Sequence, residues 1–368
     1  MGYKVIISGG GTGGHIFPAI AIADALRRIE PGVEILFVGA EGRMEMQRVP
    51  EAGYEIVGLD IQGINRASFL DNLVLPYKLI KSLIKARRLI KEFAADAVVG
   101  VGGFASGPVL MAAQRLGVPT LIQEQNSYAG LTNKQLAKRA QKICVAYDGM
   151  DAFFSNDKLM MTGNPLRRSS VDIDGKRDFA LQIFGLQPQK KTILILGGSL
   201  GAKEMNGSVL DVIHELGAKE DLQFIWQTGK HYYADMEAML DLNKAIPGNV
   251  KVKPFLDRMD LAYAAADLII SRAGAGTISE LCVVGKPALL VPSPNVAEDH
   301  QTKNAQALVA KGAAVMLPEA DARKTMLYLA MDMLADEAKC VALSTEIKKL
   351  ALPDADEVIA KEVLKMIK

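Results

Sequence analysis

The sequence predicts an α/β protein of two Rossmann-like domains whose parallel sheets face a cleft. Three observations carry this. First, 368 residues exceed one ordinary core, so two domains are expected. Second, short unbroken Val/Ile/Leu runs alternate with helical patterns, the mark of strands buried on both faces by helices. Third, KVIISGGGTGGH at residues 4–15 is echoed by TILILGGSLGAKE at residues 192–204, each an apolar strand, a Gly-rich turn and a helix start.

The first series of strands is expected at Lys4–Ile7, Glu34–Val38, Ala97–Val101, Pro119–Gln123 and Lys142–Val145. A second follows at Thr192–Leu196, Leu222–Trp226, Val250–Pro254, Leu268–Ser271 and Ala288–Val291. Between the two series, Gly163-Asn164-Pro165 reads as a hinge, because Asn-Pro favours a turn and stops helices. The domains are therefore placed at 1–163 and 164–350. Ligands of open parallel sheets bind at the carboxyl ends of the strands, which would put both glycine loops on the cleft.

Composition limits the class. Apolar residues make up 49% and charged residues 23%, as in a globular enzyme. Cys144, Cys282 and Cys340 form no C-x-x-C pair and read as reduced, buried thiols of the cytosol. Four dispersed histidines suggest no metal site. The start runs straight into a strand and glycines without a signal pattern, and no apolar run reaches the ~18–20 residues of a membrane span. Net charge is +1, with the basic excess confined to one patch, so no nucleic-acid partner is expected. Residues 66–93 hold seven basic side chains against Asp71 and Glu92.

Four segments carry candidate chemistry. In SGGGTGGHIFPA, residues 8–19, Gly9, Gly11 and Gly14 fit the dinucleotide fingerprint G-x-G-x-x-G, and Glu41 could serve as its ribose acid. The same loop can be a plain β–α turn, or an anion site at a helix N-terminus. His15, directly after the glycines, is either structural or a general base. In SRAGAGTISEL, residues 271–281, Thr277 and Glu280 form T-x-x-E, so Glu280 either caps the helix or accepts hydrogen bonds from a ribose diol. VPSPNVAEDHQTKNA, residues 291–305, leaves a strand through a Pro-rich loop and enters a helix near Asp299 or His300, its polar side chains suiting a sugar or merely solvent. Arg167, in GNPLRR, can meet a phosphate with bidentate geometry or sit as a surface charge.

The basic patch is amphipathic. In YKLIKSLIKARRLIKEF, residues 77–93, Leu79, Ile80, Leu83, Ile84, Ile90 and Phe93 share one face, expected to meet the core. Lys78, Lys81, Lys85 and Arg88 share the other, where few acids neutralise them. Upstream, Phe69, Leu73 and Leu75 place apolar side chains in an expected loop. An apolar loop beside a basic face suits an anionic membrane surface.

Taken together, GGGTGGHIFPA, GGFASGP (102–108), QEQN (123–126), GNPLR, GGSLGA, SRAGAGTISEL and DHQTKNA resemble one family, in order, from residue 5 to about 305. It is the bacterial undecaprenyldiphospho-muramoylpentapeptide β-N-acetylglucosaminyltransferases of glycosyltransferase family 28. The resemblance implies the two-domain GT-B fold and an inverting transfer of N-acetylglucosamine from UDP-N-acetylglucosamine. The acceptor it implies is the muramoyl 4-hydroxyl of lipid I, a polyprenyl diphosphate, giving lipid II for peptidoglycan. No cofactor and no metal are implied. It further implies a peripheral protein of the cytoplasmic face of the cell membrane, working beside cell-wall synthesis proteins. The first domain would bind acceptor and membrane, the second UDP-N-acetylglucosamine, and a last helix in 351–368 would cross back to the first.

Residue by residue, the resemblance makes His15 the base, with Thr12, Gly13 and Gly14 lining the site and Asn126 near the transferred sugar. Arg167 and Ser199 would meet the diphosphate, and Leu256 would offer its backbone to uracil. Ala275, Gly276 and Thr277 would present N–H groups to phosphate, Glu280 would bind ribose, and Gln301 sugar hydroxyls. The family usually has His where Gln123 stands; glutamine takes no proton, which leaves Glu124 as a candidate assistant to His15. UDP leaves as a stabilised anion and asks for positive partners, whereas the acceptor hydroxyl asks for a base. Closure about residues 163–165 would exclude water from the donor.

Overall fold

The computed structural model describes residues 2–63, 74–198, 201–242 and 246–368, with backbone alone at 237, 239–242 and 297. The chain divides into two units, residues 1–167 with 352–368, and residues 168–351.

The first unit is built on an all-parallel sheet. Its strands are β1 (Lys4–Ser8), β2 (Glu34–Ala40), β3 (Glu55–Leu59), β4 (Ala97–Gly100), β5 (Thr120–Glu124), β6 (Lys142–Val145) and β7 (Leu159–Met161). Their spatial order is β3-β2-β1-β4-β5-β6-β7. Chain order reverses between β1 and β4, which places a crevice at the carboxyl ends of these two strands. Val5, Ile6 and Ile7 are fully buried, because β1 is covered on both faces. Ile16, Ile22 and Leu26 of the helix Gly13–Ile29 cover one face. Ala86, Ile90, Val109 and Leu110 cover the other.

The helix Ala355–Ile367 completes the first of these faces. Ile359, Ala360 and Val363 are fully buried there against the β1 layer, and Leu364 is nearly so. Arg28 anchors the start of this helix, donating to Asp356 at 2.6 Å. Gly163, Asn164 and Pro165 are buried within the first unit. The Asn164 amide is held by Gln123 Nε2 at 2.9 Å and by the Gln125 carbonyl at 3.1 Å. These three residues therefore pack within the first unit, and the division falls after them, between Arg167 and Arg168.

The second unit repeats the plan. β8 (Lys191–Leu196), β9 (Leu222–Gln227), β10 (Val250–Lys253), β11 (Leu268–Ser271), β12 (Ala288–Leu290) and β13 (Val315–Met316) form a parallel sheet in the order β10-β9-β8-β11-β12-β13. Trp226 is fully buried and donates its indole N–H to Asn206 at 3.0 Å, which satisfies the one polar atom of that ring. Strands β3, β7 and β13 lie outside the runs expected from sequence.

The amphipathic segment forms the helix Leu75–Phe93, but its faces differ from expectation. Ser82, Ala86 and Ile90 are its buried residues, whereas Tyr77, Leu79, Ile80 and Ile84 are exposed. Ser82 and Ala86, both small, pack this helix closely, and half of the apolar stripe, Leu79, Ile80 and Ile84, is exposed. Nor are the lysines unneutralised. Lys78 and Lys81 pair with Asp60 at 3.0 and 3.4 Å, Lys85 with Glu41 at 3.3 Å, and Arg88 with Glu92 at 2.7 Å. Asp60 follows β3 and Glu41 follows β2, so the acids arrive from strand ends that are remote in sequence. Phe69 and Leu73 lie outside the described residues, and Leu75 is half-buried at the helix start.

Candidate functional site

In the first unit, candidate residues are assembled at the carboxyl ends of β1, β4 and β5. After β1 the chain turns through Gly9–Thr12 into the helix Gly13–Ile29, with Thr12 as N-cap residue. The loop after β4 meets it at close range. Gly10 N–H donates to the Gly102 carbonyl at 3.2 Å, and a Cβ on Gly103 would stand 2.3 Å from the Gly10 oxygen. Gly102 has φ +93°, and a Cβ there would fall 2.8 Å from His15 Nε2. Glycine at 102 is therefore what admits the imidazole.

His15 is half-buried. Its Nδ1 lies 3.0 Å from the Gly10 carbonyl oxygen and 3.3 Å from Thr12 Oγ1. A carbonyl oxygen only accepts, so the shorter contact requires the proton on Nδ1. A neutral ring protonated there carries its basic lone pair on Nε2, at the atom beside Gly102. Thr12 and Gly14 are exposed at this edge and Gly13 is half-exposed. Phe17, one turn on, carries the Arg167 guanidinium 5.2 Å from its ring centroid, which fixes that exposed cation beside the glycine loop.

Glu124 has a different surrounding. It is 3% exposed at the end of β5. Its oxygens accept from Asn126 N–H at 3.2 Å, Gly130 N–H at 3.1 Å and Asn133 Nδ2 at 2.8 Å. It shapes the turn that presents Asn126 and starts the helix Leu131–Ala137. These bonds make Glu124 a brace for Asn126. Gln123 is fully buried and bonds Asn164 and Gln125, so the residue in place of the usual His is a core amide.

In the second unit, candidate residues gather at the carboxyl ends of β8, β11 and β12. Gly198 leaves β8 and its carbonyl accepts from Gln227 Nε2 at 3.1 Å; Ser199 lies outside the described residues. The helix Ala275–Val284 begins after β11, with Gly274 as its N-cap residue. Ala275, Gly276 and Thr277 are thus its first three residues, and their N–H groups point out of its N-terminus. This overturns the capping-box reading. Thr277 lies inside the helix, so Glu280 has no N-cap to reach back to. Glu280 Oε2 instead accepts the Tyr263 hydroxyl at 2.8 Å. Burial and the Glu280 charge push the Tyr263 phenol well above its ordinary pKa, so it stays a donor.

Gln301 joins two loops. Its side-chain oxygen accepts from Ala273 N–H at 3.3 Å and Ser293 N–H at 2.9 Å. Beside it, a pocket of ≈ 400 Å³ is lined by Glu204, Pro292, Thr302, Met316 and Glu319 among others. Arg272 bonds Glu319, one of the lining residues, and the Val291 carbonyl. Leu256 is buried, and Lys230 covers the neighbouring Phe255 ring at 5.0 Å. Burial pushes the Cys144 and Cys282 thiols up to about 12, which excludes them as nucleophiles. Among the described residues, no group of three or more His, Cys, Asp or Glu gathers to hold a metal ion.

Two parallel-sheet units, each with a glycine loop at the carboxyl ends of its strands, define the GT-B class of glycosyltransferase fold. The crystal structure of Acinetobacter baumannii MurG superposes with a TM-score of 0.78 at 30% identity, covering 99% of both chains. A UDP-GlcNAc 2-epimerase from Neisseria meningitidis shares the fold, with a TM-score of 0.66 at 13% identity over 99% of this chain and 100% of that one. The descriptions "Glycosyltransferase family 28 N-terminal domain" and "Glycosyltransferase family 28 C-terminal domain" match residues 5–145 and 192–359. The chain belongs to glycosyltransferase family 28. It is 55% identical over 363 residues to the UDP-N-acetylglucosamine–N-acetylmuramyl-(pentapeptide) pyrophosphoryl-undecaprenol N-acetylglucosamine transferase of Bacteroides fragilis, covering 99% of this chain and 95% of that one. The transferase of the same name from Bacteroides thetaiotaomicron is 54% identical over 363 residues, covering 99% and 97%.

Proposed function

We propose that this protein transfers N-acetylglucosamine from UDP-N-acetylglucosamine to the muramoyl 4-hydroxyl of lipid I, giving lipid II. The observation that carries this reading is the match with the Bacteroides fragilis transferase, 55% identical over 99% of this chain and 95% of that one. His15 Nε2 takes the proton of the acceptor hydroxyl as its oxygen attacks the anomeric carbon. The bond to the UDP oxygen breaks in the same displacement, and the anomeric centre inverts. Arg167 and the N–H groups of Ala275, Gly276 and Thr277 meet the charge that develops on the diphosphate. Glu280 binds the ribose diol and Gln301 the sugar hydroxyls. Asn126, set by Glu124, faces the transferred sugar.

The acceptor is bound at a membrane surface in this reading. Tyr77, Ile80 and Ile84 stand exposed on the helix Leu75–Phe93, and Arg87, Arg88 and Lys91 are exposed on the same helix. Apolar side chains among cations suit shallow insertion into an anionic leaflet. Among the described residues no helix is long and apolar enough to cross a membrane. The protein would sit peripherally on the cytoplasmic face, where UDP-sugars are found, alongside other cell-wall synthesis proteins.

The test is a transfer assay with labelled UDP-N-acetylglucosamine and a short-chain lipid I analogue. Label is expected on the acceptor with inverted configuration. Consumption of the donor by epimerisation, with no label on the acceptor, would overturn the reading.

A further inference from the structure

Beneath the first glycine loop lies a carboxyl group that the mechanism above does not use. Glu45 opens the short helix Glu45–Glu51 and is 1% exposed. Its Oε2 accepts the Gly11 N–H at 2.8 Å and its Oε1 accepts the Ala40 N–H at 3.0 Å. The fit is tight on two sides. A Cβ on Gly10 would lie 2.2 Å from Glu45 Oε1, and one on Gly39 would lie 2.5 Å from Glu45 Cγ.

The Gly11 N–H and the Gly10 carbonyl belong to one peptide group. That group is planar and trans, so its two polar ends point in opposite directions. One end is held by Glu45. The other accepts from His15 Nδ1 at 3.0 Å. Carboxylate, peptide and imidazole therefore form a continuous line of hydrogen bonds. A carboxylate on the N–H end fixes the plane of the peptide and draws electron density toward its carbonyl oxygen, which strengthens that oxygen as an acceptor.

We propose that Glu45 is a positioning residue for His15, acting through the Gly10–Gly11 peptide to hold the proton on Nδ1 and the basic lone pair on Nε2. This inference rests on the reading of His15 as the base. In Ser-His-Asp enzymes a carboxylate orients the catalytic imidazole directly; here a peptide group stands between the two. The carboxyl group is legible as a loop staple alone, and the experiment separates the two roles.

The variants are Glu45→Gln, His15→Ala and the two combined, each assayed for kcat and for KM toward UDP-N-acetylglucosamine, with melting temperature measured alongside. Glutamine keeps the size of glutamate but turns an NH2 group toward either the Gly11 or the Ala40 N–H. Glu45→Gln is expected to lower kcat by about 10–100-fold, the scale of one lost charge-assisted hydrogen bond, at unchanged donor KM. In the His15→Ala background it is expected to cost nothing further in kcat. If it costs its full factor there as well, Glu45 does not act through His15 and the inference fails while the base reading stands. If His15→Ala alone keeps the wild-type rate, the base reading fails and takes the inference with it. Should Glu45→Gln give no cooperative melt, ¹⁵N spectra of the histidines in the unaltered protein decide. The His15 ring is expected to carry its proton on Nδ1; a neutral ring protonated on Nε2 overturns the proposal.

Discussion

Tyr263, with its ring fully buried, donates its hydroxyl hydrogen to Glu280 Oε2 at 2.8 Å. One oxygen of Glu280 is thereby fixed from inside the second unit, which sets the plane of the carboxylate. Tyr263→Phe removes that bond and leaves the rest of the ring in place. UDP affinity is expected to fall about tenfold, the scale of one hydrogen bond to a charged group. Titration calorimetry with UDP measures it, and wild-type affinity in this variant would argue against ribose binding by Glu280.

His15→Ala is expected to lower kcat by about 10²–10⁴-fold, the range for a lost general base. Donor binding should be unchanged, because His15 is assigned to the acceptor hydroxyl and not to UDP. Steady-state kinetics with varied UDP-N-acetylglucosamine separate the two parameters. A rise in KM with kcat preserved would make His15 a binding residue.

The outward face of the helix Leu75–Phe93 sets a third expectation. Ile80 and Ile84 are 58% and 66% exposed, far more than an apolar side chain facing a core. The pair Ile80→Glu and Ile84→Glu should abolish sedimentation with anionic vesicles while leaving the melting temperature near its original value. Binding of the unaltered protein should weaken as salt rises, since its cationic part is screened. Binding that ignores both the substitutions and the salt would remove this face from the membrane.

Acid should weaken the second unit through Asp260. This carboxylate is 5% exposed and bonded by Arg258 at 2.8 Å and Lys176 at 3.2 Å. Those cations, Arg258 foremost, hold its pKa down from 3.8 to about 2. The folded form therefore keeps its charge at acidity where the unfolded form has lost it. The contribution is complete above about pH 4 and disappears as pH falls toward 2. Asp260→Asn should flatten the loss of stability across that window in denaturation curves taken at successive pH values; an unchanged slope would contradict it.

Ile359→Ala should cost about 2–5 kcal/mol in the first unit, the range for truncating a core aliphatic. Ile359 is fully buried against the β1 layer although it lies near the end of the sequence. Chemical denaturation resolves a loss of this size. A cost below ~1 kcal/mol would mean the helix Ala355–Ile367 adds little to that core.

Much of the architecture was legible because parallel strands leave unbroken apolar runs, and Val5-Ile6-Ile7 or Leu194-Ile195-Leu196 admit few other readings. The strands that escaped notice give weaker signals. Leu159–Met161 and Val315–Met316 are too short to show a period, and Glu55–Leu59 is a half-buried edge interrupted by Gly58. Among the candidate residues, His15 stands out in the sequence by its place after the glycines. The Thr277-x-x-Glu280 pattern misled because Gly274, three residues earlier, takes the N-cap position and moves the helix start. Glu45 gave no signal at all. Its partners are the N–H groups of Gly11 and Ala40, brought to it only by the packing of the helix Glu45–Glu51 under the loop. Asp60 and Glu41 reach the lysines of the amphipathic helix for the same reason, across a sheet rather than along the chain.

The helix Ala355–Ile367 gives the first unit an unusual birth order. A ribosome delivers β1 and its neighbours early, then every residue of the second unit, and only afterwards the four side chains that close the first sheet. Throughout elongation that sheet carries an uncovered apolar strip, while the later-made unit already has its whole sequence in hand. The first unit thus waits on side chains that are made only after the whole of the second.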